Sequence, residues 1–121
     1  MKISFDFDNT LSESYVQIIA KSIINMNHDV WVITSRCSNN SVNNQDLYKT
    51  CINLGISKSQ IIFVDGERKV DEYKKGNFDL HFDDDWEDVM LINNIGGNAI
   101  LVKPDFEEIF SEMQYRQNND A

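Results

Sequence analysis

Two aspartates one residue apart, Asp6 and Asp8, follow the apolar run Ile3, Phe5, Phe7 in the stretch ISFDFDNTLS, with Asn9 and Thr10 behind them. If that run is a strand, side chains alternate faces, so both carboxylates leave the same side about 7 Å apart along the chain. Two like charges held that close call for a chemical reason. Three further groups follow apolar runs in the same way. Thr34 and Ser35 come after VWVI, Lys69 comes shortly after IIFV, and Asp83, Asp84, Asp85 and Asp88 come after LHF. Carboxylates about 4 Å apart repel by several kcal/mol at an effective dielectric near 20, so gathering them is costly without a cation. Oxygen-only ligands select a hard ion, and Mg²⁺ is the usual one where a phosphate completes the shell.

The elements that must position these groups follow from hydrophobic periodicity. Residues 2–7, 30–34, 61–64, 79–83 and 99–102 read as strands, and VWVI and IIFV are apolar on both faces, as buried parallel strands must be. Tyr15, Ile19, Ile23 and Met26 form one helical stripe, with Ser14 and Gln17 spaced as a capping box. Leu47, Cys51 and Leu54 mark a second helix closed by Gly55. A third helix runs from about Lys69 to Gly76, and a fourth from about Asp85, its N-cap, to Ile95. Phe106, Ile109, Phe110 and Met113 mark a fifth after Pro104. Five β/α units predict an α/β chain with a parallel sheet between two helical layers, in strand order 5-4-1-2-3 or 2-1-3-4-5. In either order the first strand ends at the crevice where such sheets bind ligands.

Four of these stretches, taken in order, resemble the motifs of the haloacid dehalogenase (HAD) superfamily of phosphohydrolases. DFDNT is similar to the first motif DxDx[TV], Thr34 in VITSR to the second, Lys69 to the third and DDDWED to the acidic fourth. The resemblance implies the HAD-like three-layer fold with order 5-4-1-2-3. It also implies a Mg²⁺-dependent phosphomonoesterase. Asp6 would be the nucleophile that takes the phosphoryl group, and Asp8 the general acid and base. Thr34 would bond the phosphoryl oxygens, and Lys69 would offset charge between nucleophile and transferring group. Asp84 and Asp88 fit the family's metal-binding spacing, and the implied metal set is drawn from Asp6, Asp8, Asp83, Asp84 and Asp88. Ser35 and Arg36 stand beside Thr34 as candidate substrate contacts.

No cap domain is expected, because one helix fills residues 14–27 and only DGER separates Val64 from Lys69. The stretch from Arg36 to Asp46 is the expected local lid. An uncapped site must borrow a cover from a second copy, giving a homo-oligomer, or take a substrate large enough to close it. The favoured substrate is a nucleotide or other small phosphorylated compound, ahead of a polynucleotide 3′-phosphate end. A formal net charge of -9 argues against a surface that tracks a nucleic-acid backbone.

A receiver-type phosphoacceptor module is the competing class, with Asp65 and the VKP stretch at its characteristic places; it fails to explain the acid cluster. A catalytically inert metal-binding relative is the other alternative. His28 and His81 lack ligand spacing and read as structural, while Lys74 and Lys75 read as solvated. The 121 residues suit one domain, 1–121, and Cys37 and Cys51 read as free thiols. No apolar run approaches a membrane span and no signal peptide is evident, so a cytoplasmic protein is expected.

Overall fold

Alternation along the first strand decides which face of the sheet each layer covers. In the computed structural model, which describes residues 1–103 and 115–117, β1 spans Lys2–Phe5 and sends Ile3 and Phe5 to one face and Ser4 to the other. Five parallel strands are described: β1, β2 (Asp29–Thr34), β3 (Ile61–Phe63), β4 (Leu80–Asp83) and β5 (Ala99–Leu101). Their order across the sheet is β3-β2-β1-β4-β5, or 5-4-1-2-3 from the opposite edge. β1 therefore lies between β2 and β4, and the alternative 2-1-3-4-5 order is not adopted. The crossover from β3 to β4 passes β1 and opens the crevice at the carboxyl ends of β1 and β4.

The Ile3/Phe5 face packs under α1 (Ser14–Asn25) and α2 (Gln45–Leu54), in a core that includes Val16, Ala20, Leu47, Cys51 and Leu54. The Phe5 and Phe82 rings of β1 and β4 stack there with centroids 4.7 Å apart. The opposite face carries Trp31, Ile33 and Ile62 under α3 (Val70–Lys75) and α4 (Trp86–Asn94), with Tyr73, Phe78 and Ile92. Helices thus cover both faces, as a parallel sheet requires.

Several local expectations shift. α1 buries Val16 and Ala20, not the stripe through Ile19 and Met26, which are exposed. The helix is turned so that its small Ala20 meets the sheet. The capping box of Ser14 and Gln17 does not form: Ser14 is already the first helical residue, and the Gln17 amide donates instead to the Ser12 carbonyl. A reciprocal box of that type occurs at Ser57 and Gln60, opening the 3₁₀ turn Lys58–Gln60. Gly55 closes α2 in the left-handed region at φ 91°, as expected of a helix-terminating glycine. The fifth helix proposed on Phe106 to Met113 lies outside the described residues. Residues 6–13 and 64–69, the connections that follow β1 and β3, are too short for a second folded unit. Among the described residues no helix is long and apolar enough to cross a membrane.

Candidate cation site

β1 stops at Phe5, one residue before the first aspartate. Asp6 continues the ladder by donating its backbone N–H to the Phe82 carbonyl at 2.8 Å, and the chain then turns tightly through Phe7–Leu11. Asn9 takes φ 58°, a left-handed conformation that asparagine tolerates better than most residues, and its N–H donates to the Ser12 hydroxyl. Asp6 and Asp8 therefore part company. The Asp6 side chain is buried, whereas Asp8 sits half-exposed at the rim.

The centre is held by Lys69, which the turn before α3 delivers beneath the ends of β1 and β4. Its ammonium donates to Asp6 Oδ1 at 2.8 Å and to Asp83 Oδ2 at 2.7 Å, with all three side chains buried. Asp88, in the first turn of α4, accepts the Lys69 backbone N–H at 3.1 Å and stands 3.6 Å from the ammonium. Burial disfavours the Lys69 charge, but Asp6 and Asp83 outweigh it and hold the ammonium above its ordinary range. Asp83 is fixed on both oxygens: Oδ1 accepts the Asp85 N–H at 3.0 Å, and Oδ2 also bonds His81 Nε2 at 2.7 Å. Burial pushes against ionised Asp83, yet the His81 and Lys69 contacts prevail and hold it below the usual carboxylate value. Asp6 goes the other way. Burial first, and then the Asp83 charge, push it up to about 8 against the opposing pull of Lys69.

Asp6, Asp83 and Asp84 each offer an oxygen, and the three lie within 4.8 Å of one another. The donor set is all oxygen and could hold a cation; it fits a hard divalent ion and does not by itself name one. A bound cation would favour the ionised Asp6 that burial, and then the Asp83 charge, oppose. Thr10, fully buried, supports this group from below, its hydroxyl lying 3.3 Å from Asp6 Oδ2 and 3.4 Å from Asp84 Oδ1. A cavity of about 220 Å³ opens above, with Ser35, Arg68 and Asn9 on its walls beside the acids.

The other expected residues take different places. Asp8 and Asp88 belong to the same cavity wall but not to the three-carboxylate group; Arg36 holds Asp8, and the Lys69 backbone N–H donates to Asp88. Arg36 grips both oxygens of Asp8, at 3.0 and 2.7 Å, and both of Asp46, at 2.7 and 3.0 Å. Its guanidinium lies over the Phe7 ring, 4.9 Å from the centroid, so it ties the 36–46 loop to the Asp8 turn. Thr34 is buried and its hydroxyl oxygen accepts the Arg36 N–H at 3.2 Å, so it shapes the turn that presents Ser35. Lys74 and Lys75 are solvated, and Cys37 and Cys51 are free thiols.

Asp65 is exposed after β3 and does not line the cavity, and Lys103 stands against the Phe5/Tyr15 groove on the α1 side. The receiver arrangement would need both at the acid site, and would need β3 beside β1. Sequence reasoning missed Arg68, which pairs with Asp85 and Glu87 at the rim, and His81, which touches Asp83. Position next to Lys69 signalled the first, and a period of two from Asp83 signalled the second. No family model matches the chain, and no curated protein matches it.

Proposed function

We propose that this chain is a Mg²⁺-dependent phosphomonoester hydrolase of the small, capless haloacid dehalogenase type, working through an aspartyl phosphate on Asp6. The observation that carries the reading is the Lys69 ammonium clamped between buried Asp6 and Asp83, beside a three-carboxylate group at the carboxyl ends of the two central strands. A structural ion pair needs one acid; here a single ammonium faces two buried carboxylates, with a third within ligand reach. Asp6, Asp83 and Asp84 would hold Mg²⁺, which when bound would neutralise the acids and polarise phosphoryl oxygens.

Asp6 would attack phosphorus as the bond to the leaving oxygen breaks, and that oxygen would take its proton from Asp8 at the rim, which Arg36 must first release for Asp8 to carry one. In the second half-reaction Asp8 would take a proton from water, which attacks phosphorus and releases phosphate and free Asp6. Lys69 would offset charge on the transferring group, and Ser35 and Arg68, which line the cavity, would contact it. Arg36 and Arg68 are already engaged with carboxylates, which favours a single terminal phosphate over a nucleic-acid backbone. The substrate class is therefore a nucleotide or other small phosphorylated compound.

The test is Mg²⁺-supplemented phosphate release from nucleoside monophosphates, sugar phosphates, 3′-phosphorylated oligonucleotides and an activated aryl phosphate. Release that vanishes in chelator and in Asp6→Asn is the expected result. A hundredfold preference for the oligonucleotide would move the substrate to nucleic-acid ends, and no release from any of them would overturn the hydrolase reading.

A further inference from the structure

Behind the carboxylates, on the α3/α4 face of the sheet, two fully buried polar side chains sit where an apolar pair would be expected. Ser4 of β1 and His81 of β4 are register partners, and both have 0% exposure. Each lies two residues before an acid of the site, Ser4 before Asp6 and His81 before Asp83, so all four emerge on the same face. The hydrogen bonds join end to end: Ser4 Oγ to His81 Nδ1 at 2.7 Å, His81 Nε2 to Asp83 Oδ2 at 2.7 Å, Asp83 Oδ2 to Lys69 Nζ at 2.7 Å, and Lys69 Nζ to Asp6 Oδ1 at 2.8 Å. An ionised carboxylate only accepts, so Nε2 carries the hydrogen in the bond to Asp83. In the uncharged ring Nδ1 is then the acceptor, and the Ser4 hydroxyl donates to it.

We propose that His81, held in one tautomer and ring orientation by Ser4, is a positioning residue that fixes the Asp83 carboxylate for cation binding. The inference rests on the cation-site reading of Asp6, Asp83 and Asp84. The Asp85 N–H and the His81 ring bond opposite oxygens of Asp83, at 3.0 and 2.7 Å, and together they set the plane of the carboxylate. Lys69 alone could not, since it shares its ammonium with Asp6 and can follow a rotating carboxylate. Burying a serine and an imidazole costs desolvation that an alanine and a leucine would avoid. The polar pair therefore contributes orientation rather than stability, in the way that partners behind metal ligands hold those ligands in place.

The test uses the full chain, Mn²⁺ as a spectroscopically visible divalent probe, and two variants. The double variant Ser4→Ala/His81→Leu removes the donor to Asp83 and leaves no orphaned partner behind it. His81→Gln keeps an N–H donor on a flexible side chain. Positioning predicts that the double variant melts at or above the wild-type temperature while its Kd for Mn²⁺ weakens by about 10- to 100-fold, with His81→Gln losing less. A Kd within about twofold of wild type in the folded double variant would overturn the proposal. If the double variant does not fold, Ser4→Ala alone decides: an unlocked ring should weaken Mn²⁺ binding, and unchanged binding would overturn it. Failure of the wild-type chain to bind Mn²⁺ would sink the cation-site reading instead. Positioning is then read from a crystal structure of His81→Leu, where an Asp83 carboxylate turned from its wild-type plane supports it and an unmoved one overturns it.

Discussion

In the metal-free chain the Asp6 carboxyl is buried beside Asp83, and burial followed by that charge raises it from the ordinary 3.8 to about 8. A raised folded value means the fold favours the protonated form, so this contribution to stability is complete below pH 3.8 and is lost as pH climbs through about 8. Asp83 is shifted downward, so its contribution changes only below the usual carboxylate value, outside that window. The metal-free protein should therefore lose thermal stability between pH 5 and pH 8. Added Mg²⁺ should raise Tm more at pH 8 than at pH 5, because binding no longer has to expel a proton from Asp6. Asp6→Asn should flatten both trends; thermal unfolding scans with Mg²⁺ or with chelator read this directly. Asp8 calls for a different experiment. In the proposed mechanism it would act as general acid and then general base, so Asp8→Asn should slow formation and breakdown of the aspartyl phosphate by about 10²–10⁴-fold. Rapid-quench kinetics would separate the two steps, and loss of only one would restrict Asp8 to that step.

At the scale of elements, the start of α4 links stability to the site. Asp85 caps the helix by accepting the Glu87 N–H at 2.9 Å, donates its own N–H to Asp83, and pairs with Arg68 at 3.3 Å. Asp85→Ala keeps the backbone bond to Asp83 but removes the cap, and should cost about 1 kcal/mol. The denaturant midpoint should fall with unchanged slope, since the native fold and the surface exposed on unfolding stay the same. The same segment shows how far local pattern carries. The cap, the helix limits near Trp86 and Asn94, and the α2 stripe of Leu47, Cys51 and Leu54 all follow from nearest-neighbour chemistry in the sequence. The α1 stripe does not, because Tyr15, Ile19, Ile23 and Met26 compete with Val16, Ala20 and Ile24 for the sheet, and periodicity alone cannot choose between faces one residue apart.

Across the whole molecule, a net charge of -9 surrounds a site whose rim cations, Arg36 and Arg68, are already paired with acids. Hydrolysis of a small phosphomonoester should then vary by no more than about twofold in kcat/KM between 50 and 200 mM salt, whereas an enzyme tracking many phosphates would lose orders of magnitude. A steep fall with salt would return the argument to nucleic-acid ends. The sequence by itself determined the strands, their parallel α/β arrangement and the acids at their ends, because alternation, apolar runs and strand-terminal polar residues are local properties of the chain. It left two strand orders open, and only the packed sheet decided between them, since the choice depends on which strands hydrogen-bond to β1 across distant stretches of chain. Tertiary structure also divided the acids. Asp6, Asp83 and Asp84 converge, while Arg36 holds Asp8 and the Lys69 backbone N–H holds Asp88, pairings between distant stretches that exist only once the helices are packed. The period of two puts His81 on the face of Asp83, but its role also depends on Ser4, seventy-seven positions away, lying opposite it in register.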